Sequence, residues 1–220
     1  MTGTVRNAVA EALGTFLFVF AIIAAVNSAG ALAPIAIGFA LMVLVYATGH
    51  ISGAHLNPAV SLGAWLRGAL SLGDMITYWI AQFVGGALAA LVSFAVFPKA
   101  EAAAKIEVGP AFLVEALWTL VLVYVVLNVA TSKDNDGNSF YGLAIGSTVV
   151  VGAFAVGPIS GGGFNPAVAL GLSISGHFDW TNLWLYIVAP LVGGAIAAAA
   201  FRVLNTHDLI KANEAEQTNA

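Results

Sequence analysis

Residues 52–60 read Ser52-Gly53-Ala54-His55-Leu56-Asn57-Pro58-Ala59-Val60, and residues 161–168 read Gly161-Gly162-Gly163-Phe164-Asn165-Pro166-Ala167-Val168. Each stretch puts Asn-Pro at the head of a short uncharged apolar run, Asn57–Leu66 and Asn165–Ser175, of 10 and 11 residues. Asn is a strong helix N-cap, and Pro suits the first turn, where its missing N–H would have no partner anyway. A helix of that length rises ~15 Å, half of a ~30 Å hydrocarbon core. Each run therefore reads as a re-entrant half-helix and not as a span.

The two stretches belong to a longer repeat. A shift of 108 residues lays Ala33–Gly63 on Tyr141–Gly171 without a gap, with 15 of 31 pairs identical. The same shift lays Tyr78–Ala90 on Tyr186–Ala198, with eight of 13 identical. Glu11 and Glu115 correspond at a shift of 104. This divides the chain into a first half, 1–108, a second half, 109–205, and a polar tail, 206–220, expected to fray; the two halves form one membrane domain.

The membrane assignment rests on composition. Of 220 residues only 8% are charged and 60% are hydrophobic, and the mean hydropathy is +0.94. A typical soluble domain is about 25% charged. No charge occurs between Glu11 and Arg67, nor between Phe140 and Phe178. Six stretches are long enough to cross: Val5–Asn27, Ala31–Gly49, Asp74–Phe97, Phe112–Thr131, Phe140–Val156 and Thr181–Leu204. The first is read as a retained span and not a signal peptide, because further hydrophobic segments follow. The expected fold is an all-α integral membrane protein of six transmembrane helices and two half-helices.

Three spans per half is an odd number, so the second half sits upside down relative to the first. An inverted-topology repeat places its site near the midplane, where the halves meet. Irregular backbone is tolerated at that depth only where protein covers it or water lines it. Half-helices inserted from opposite faces bring two N-termini together, each carrying roughly half a positive elementary charge. Cations are disfavoured there, and Asn57 and Asn165 can offer N–H donors to a polar guest. With both termini cytoplasmic, Arg6, Arg67, Lys133, Arg202 and Lys211 lie inside and only Lys99 and Lys105 outside, as the positive-inside rule prefers. The expected location is the cell (plasma or inner) membrane.

The two Asn-Pro-Ala boxes, Asn57-Pro58-Ala59 and Asn165-Pro166-Ala167, set in an inverted repeat, resemble those of the aquaporin and aquaglyceroporin family, the major intrinsic proteins. The resemblance runs from Glu11 to about Leu204. It implies a passive channel, one pore in each subunit of a homotetramer, with the Asn pair at the central constriction helping to exclude protons. It also implies that Glu11 and Glu115 accept hydrogen bonds from the re-entrant loops; structural brackets are the reading preferred over a proton relay. His55 matches a family histidine and is a pore-lining candidate, a satisfied loop contact being the alternative. His50 reads as structural.

By register from the boxes, the family's narrow filter falls at Ile37, Ala153, Gly162 and Val168. The family's usual residue at the last position is arginine, and here it is valine. Losing five fixed donors and a permanent charge implies a wider, greasier opening. Water, glycerol, urea, hydrogen peroxide or ammonia are then candidate permeants. Pro190-Leu191 also resembles the glycerol-conducting branch, whereas Ala169 stands where that branch usually has Asp. Phe39, Tyr46 or Phe154 could instead narrow the mouth again.

The resulting expectation is a passive channel for water and small neutral solutes, associated with the lipid bilayer. The alternatives are a coupled secondary transporter, which would need an ion-coordinating group at the midplane, and a structural membrane protein with a closed pore. No nucleophile–base pair, phosphate loop or metal-ligand cluster points to an enzyme, a cofactor or a metal. A net charge of −4 points away from nucleic acid, and the chain has no cysteine.

Overall fold

The computed structural model describes residues 3–208. Lys211 and most of the polar tail lie outside the described residues. The described chain is helical almost throughout: α1 (Gly3–Ser28), α2 (Ala33–Ser52), α3 (Pro58–Arg67), α4 (Leu72–Ser93), α5 (Val108–Thr131), α6 (Tyr141–Ala155), α7 (Gly157–Ser160), α8 (Pro166–Ile174) and α9 (Leu183–Leu204).

The long helices are apolar on all sides, the pattern of helices that meet lipid outside and protein inside. Leu13, Leu17, Val43, Ile80 and Leu117 stand exposed around the bundle. Helices α1, α2, α4, α5 and α9 are long and apolar enough to cross a membrane. The sixth crossing, α6, has 15 residues, and after Val156 the single turn α7 continues it. Two boundaries differ from the sequence reading. Gly109 and Pro110, read there as a turn, lie inside the first turn of α5, where a proline removes no helical hydrogen bond. Helix α4 ends at Ser93, four residues earlier than expected, and a short turn leads on to Pro98.

The two halves interlock. Helix α1 packs on α4 and α5 on α9, while α2 and α6 pair across the middle. Each half-helix docks mainly on the last long helix of the other half, α3 on α9 and α8 on α4. Two glycines related by the 108-residue shift permit that approach. A Cβ on Gly86 would lie 2.6 Å from the Ala167 carbonyl oxygen, and one on Gly194 would lie 2.7 Å from that of Ala59.

The start of the tail is fixed, against the expectation that it frays. Asp208 is buried and accepts from the Lys133 backbone N–H at 3.0 Å, with the Arg67 guanidinium 3.8 Å away. Arg67 in turn donates to the Thr131 hydroxyl and carbonyl at 2.8 and 2.6 Å, and lies over the Phe201 ring. Arg202 donates to the Leu66 carbonyl at 3.2 Å. Arg67, Lys133 and Arg202 thus gather at one end of the bundle. Burial alone would raise the Asp208 carboxyl, but the Lys133 N–H, the Ser132 hydroxyl and the Arg67 and Lys133 charges outweigh it and hold it below the usual range.

Candidate functional site

The re-entrant loops are held from behind by the two glutamates, both fully buried. Glu11 accepts from Ser52 Oγ at 2.6 Å, His55 N–H at 2.9 Å, Leu56 N–H at 2.7 Å and Gln82 Nε2 at 2.8 Å. Glu115 accepts from Ser160 Oγ at 2.6 Å, Gly163 N–H at 2.8 Å and Phe164 N–H at 2.6 Å. The fourth donor is missing in the second half because Gln82 corresponds to Pro190 under the shift. Tyr78 and Tyr186 donate to the Ser52 and Ser160 carbonyls, locking the same loops from the opposite side.

These bonds turn the loops sharply just before each box. Leu56 and Phe164 adopt left-handed backbone, φ 50° and 49°, a conformation that costs a non-glycine residue free energy and persists where surrounding bonds enforce it. The turn aims each of their carbonyls at the opposite box. Asn57 Nδ2 donates to Phe164 O at 2.9 Å, and Asn165 Nδ2 donates to Leu56 O at 2.8 Å. Meanwhile Asn57 Oδ1 caps α3 through Ala59 N–H at 2.9 Å, and Asn165 Oδ1 caps α8 through Ala167 N–H at 2.9 Å. An amide nitrogen has two N–H groups, so each Asn keeps one donor uncommitted while its oxygen is occupied.

Asn57 and Asn165 both line a small central cavity of about 30 Å³. A water needs roughly 10–15 Å³ of such space, so the cavity admits a guest of that size. The remainder of the lining is aliphatic or backbone, apart from Phe18, Phe164 and His55, whose Nδ1 lies 3.0 Å from Ser61 Oγ. Among the described residues no Asp, Glu, Lys or Arg lines it. The glutamates lie behind the loops and line neither this cavity nor the two vestibules that adjoin it.

Wider vestibules adjoin the central cavity at each end. One, of about 480 Å³, holds His50, Lys133 and Asp136 and shares Val45 and Ile145 with the centre. The other, of about 360 Å³, is lined by Ala102–Ala104, Leu172 and His177. It shares Ile22, Ile37, Val149 and Gly162 with the centre. Hydrogen bonds from Ala100 N–H to Ser175 O and from Ala104 N–H to His177 O, both 3.0 Å, hold its rim. Burial holds the His177 imidazole below its usual value.

The four filter positions read from the sequence do not share one place. Ile37 and Gly162 lie where the centre meets the His177 vestibule, and Ala153 lines the vestibule only. Val168 is 2% exposed and lines neither; Leu172, one turn further along α8, does. Phe39 and Phe154 are exposed and, like Tyr46, line none of these three cavities. Tyr46 instead stacks edge-on with Tyr141. The sequence reading passed over Ile22, Val149, Val45 and Ile145. The i, i+4 stripes Ile37–Leu41–Val45 and Ile145–Val149–Ala153, exact counterparts under the shift, were the available signal.

Three adjoining cavities in line around an inverted pair of half-helices have the architecture of a channel. The major intrinsic protein family model matches residues 1–201. The chain belongs to that family. Its relatives include the glycerol uptake facilitator protein-like 6 of Lactiplantibacillus plantarum, 38% identical over 92% of this chain and 100% of that protein. Aquaporin NIP1-2 of Arabidopsis thaliana is 35% identical over 92% of this chain and 75% of its own length. The fold is shared with the aquaglyceroporin from Plasmodium falciparum, with a TM-score of 0.77 at 24% identity, covering 91% of this chain and 96% of that one. As a major intrinsic protein the chain is a membrane channel for water and small solutes, and not an enzyme.

Proposed function

We propose that this channel is a passive pore for neutral permeants, water together with solutes of the size of glycerol or urea, selected by an apolar constriction and by the Asn57–Asn165 pair. The observation that carries this reading is the lining of the central cavity: two amide N–H donors at two helix N-termini, apolar walls, and no formal charge. A guest oxygen at the Asn pair meets amide donors and no amide acceptor, because both Asn oxygens are spent on caps. A hydrogen-bonded chain of water is thereby forced to break its direction, and two positive dipole ends oppose cations.

In this reading Val168 stands where an arginine would supply donors and charge, and Ile37, Gly162 and Ala153 present methyl groups and backbone in their place. Glu11 and Glu115 are brackets, each accepting two backbone N–H bonds from its re-entrant loop. His55 faces the lumen as an adjunct to the Asn pair. Residues 1–108 and 109–205 are the two inverted halves, both termini face the cytoplasm, and four copies assemble side by side in the cell membrane.

A gradient experiment tests the passive character. In proteoliposomes, uptake of labelled glycerol or urea should follow the solute's own gradient and ignore an imposed pH or sodium gradient. Accumulation driven by either ion gradient would replace this reading with coupled transport.

A further inference from the structure

Of the four filter positions expected by register, only Ile37 and Gly162 lie where the central cavity meets the His177 vestibule; Ala153 and Val168 do not. We infer that Ile22 of α1 and Val149 of α6 set the size limit of this pore. The central cavity and the His177 vestibule have four residues in common, Ile22, Ile37, Val149 and Gly162, and a permeant passing between them crosses that ring. Val149 lies one helical turn inward from Ala153, so the constriction sits deeper than the register places it. Ile22 comes from α1, a helix that supplies none of the four expected positions. Its counterpart under the 104-residue shift, Val126, lines only the central cavity, so the ring is a feature of one mouth and not a consequence of the repeat.

The chemistry of the ring defines what passes. Ile22 and Val149 are 5% and 7% exposed, packed into the bundle, and their β-branched side chains hold one preferred rotamer on a helix. Three stiff branched side chains give a firm boundary. Gly162 adds backbone whose N–H is already donated to Ser160 Oγ at 3.2 Å. The ring therefore discriminates by girth and by tolerance of apolar contact, favouring slim neutral solutes with exposed C–H surface over strongly hydrated ones.

This rests on the passive-pore reading, and the test separates the two. Purified Ile22→Ala, Val149→Ala and wild-type protein are reconstituted at matched, quantified density, and water and glycerol fluxes are measured. Each alanine variant should raise the glycerol-to-water ratio roughly tenfold, the scale on which a methylene-sized change in an apolar site discriminates. Because the chain has no cysteine, Ile22→Cys and Val149→Cys offer a second readout that survives if an alanine variant folds poorly. A methanethiosulfonate reagent, losing methanesulfinate to the thiolate and leaving a mixed disulfide, should block both cysteine variants and spare the wild type. Wild-type flux above empty liposomes, with unchanged ratios and no block at either cysteine, would overturn the inference and leave the pore reading standing. Wild-type flux no greater than empty liposomes would overturn the pore reading itself.

Discussion

Asn57 gives one amide N–H to the carbonyl oxygen of Phe164, 107 residues away, at 2.9 Å, while its own oxygen caps the helix that it starts. Asn165 does the same in the opposite sense through Leu56. The two half-helix tips are thus tied to each other, and the tie fixes which face of each amide meets the lumen.

Replacing Asn165 with Ala should therefore cost both a cap, about 1 kcal/mol, and a cross-loop hydrogen bond, about 1 kcal/mol more. Unfolding in detergent, followed by circular dichroism, should show a loss of about 2 kcal/mol. An unchanged midpoint would mean that the tie between the loops is not formed.

Asn57→Asp keeps the capping oxygen but sets a second oxygen against the Phe164 carbonyl and brings negative charge to the lumen. Proteoliposomes carrying this variant and loaded with a pH-sensitive dye should leak protons faster than wild type. Equal leak rates would remove the Asn pair from the proton barrier.

Glu115→Gln preserves shape but presents an NH2 group to a loop of N–H donors. One of the Gly163 or Phe164 donors then loses its partner, at about 1–3 kcal/mol. Stability should fall by that amount, while flux through any folded fraction remains indifferent to a pH gradient. A stable variant with altered gradient dependence would speak for a relay and against a bracket.

Val168→Arg should lower glycerol or urea flux more than water flux. Leu172, four residues along the same face of α8, reaches the His177 vestibule, so a long side chain from position 168 can extend toward the lumen. Equal reduction of both fluxes would contradict the role given to the missing arginine.

The Asp208 carboxyl is held below its usual 3.8 by the Lys133 N–H, the Ser132 hydroxyl and the nearby Arg67 and Lys133 charges, against the opposing effect of burial. A depressed folded value means that its contribution is complete above the ordinary carboxylate value and is lost as pH falls through the lower one. Hydrogen exchange in the 132–138 loop should stay slow from neutrality down to about pH 4 and accelerate below it. Asp208→Asn should show the fast exchange already at pH 7, and identical protection in both proteins would contradict the assignment.

The tandem Asn-Pro signals and the 108-residue shift made the half-helices legible, because capping chemistry and half-membrane length are local properties. Glu11 and Glu115 were legible as carboxylates set inside long apolar spans. Less so was what depends on backbone hand: Leu56 and Phe164 give no hint in their side chains that they turn left-handed and aim carbonyls across the midplane. The constriction was hidden for a different reason. Ile22 and Val149 are aliphatic residues in a chain that is 60% hydrophobic, and only the packing of α1, α2 and α6 singles them out. Gln82 was missed because both its partners, Glu11 and Ser61, lie on other helices, 71 and 21 residues away.

The most direct test of the whole account is stopped-flow light scattering on proteoliposomes exposed first to an impermeant osmolyte and then to glycerol. The account predicts shrinkage faster than in empty liposomes, followed by accelerated re-swelling as glycerol enters. Shrinkage and re-swelling at the rates of empty liposomes would contradict it.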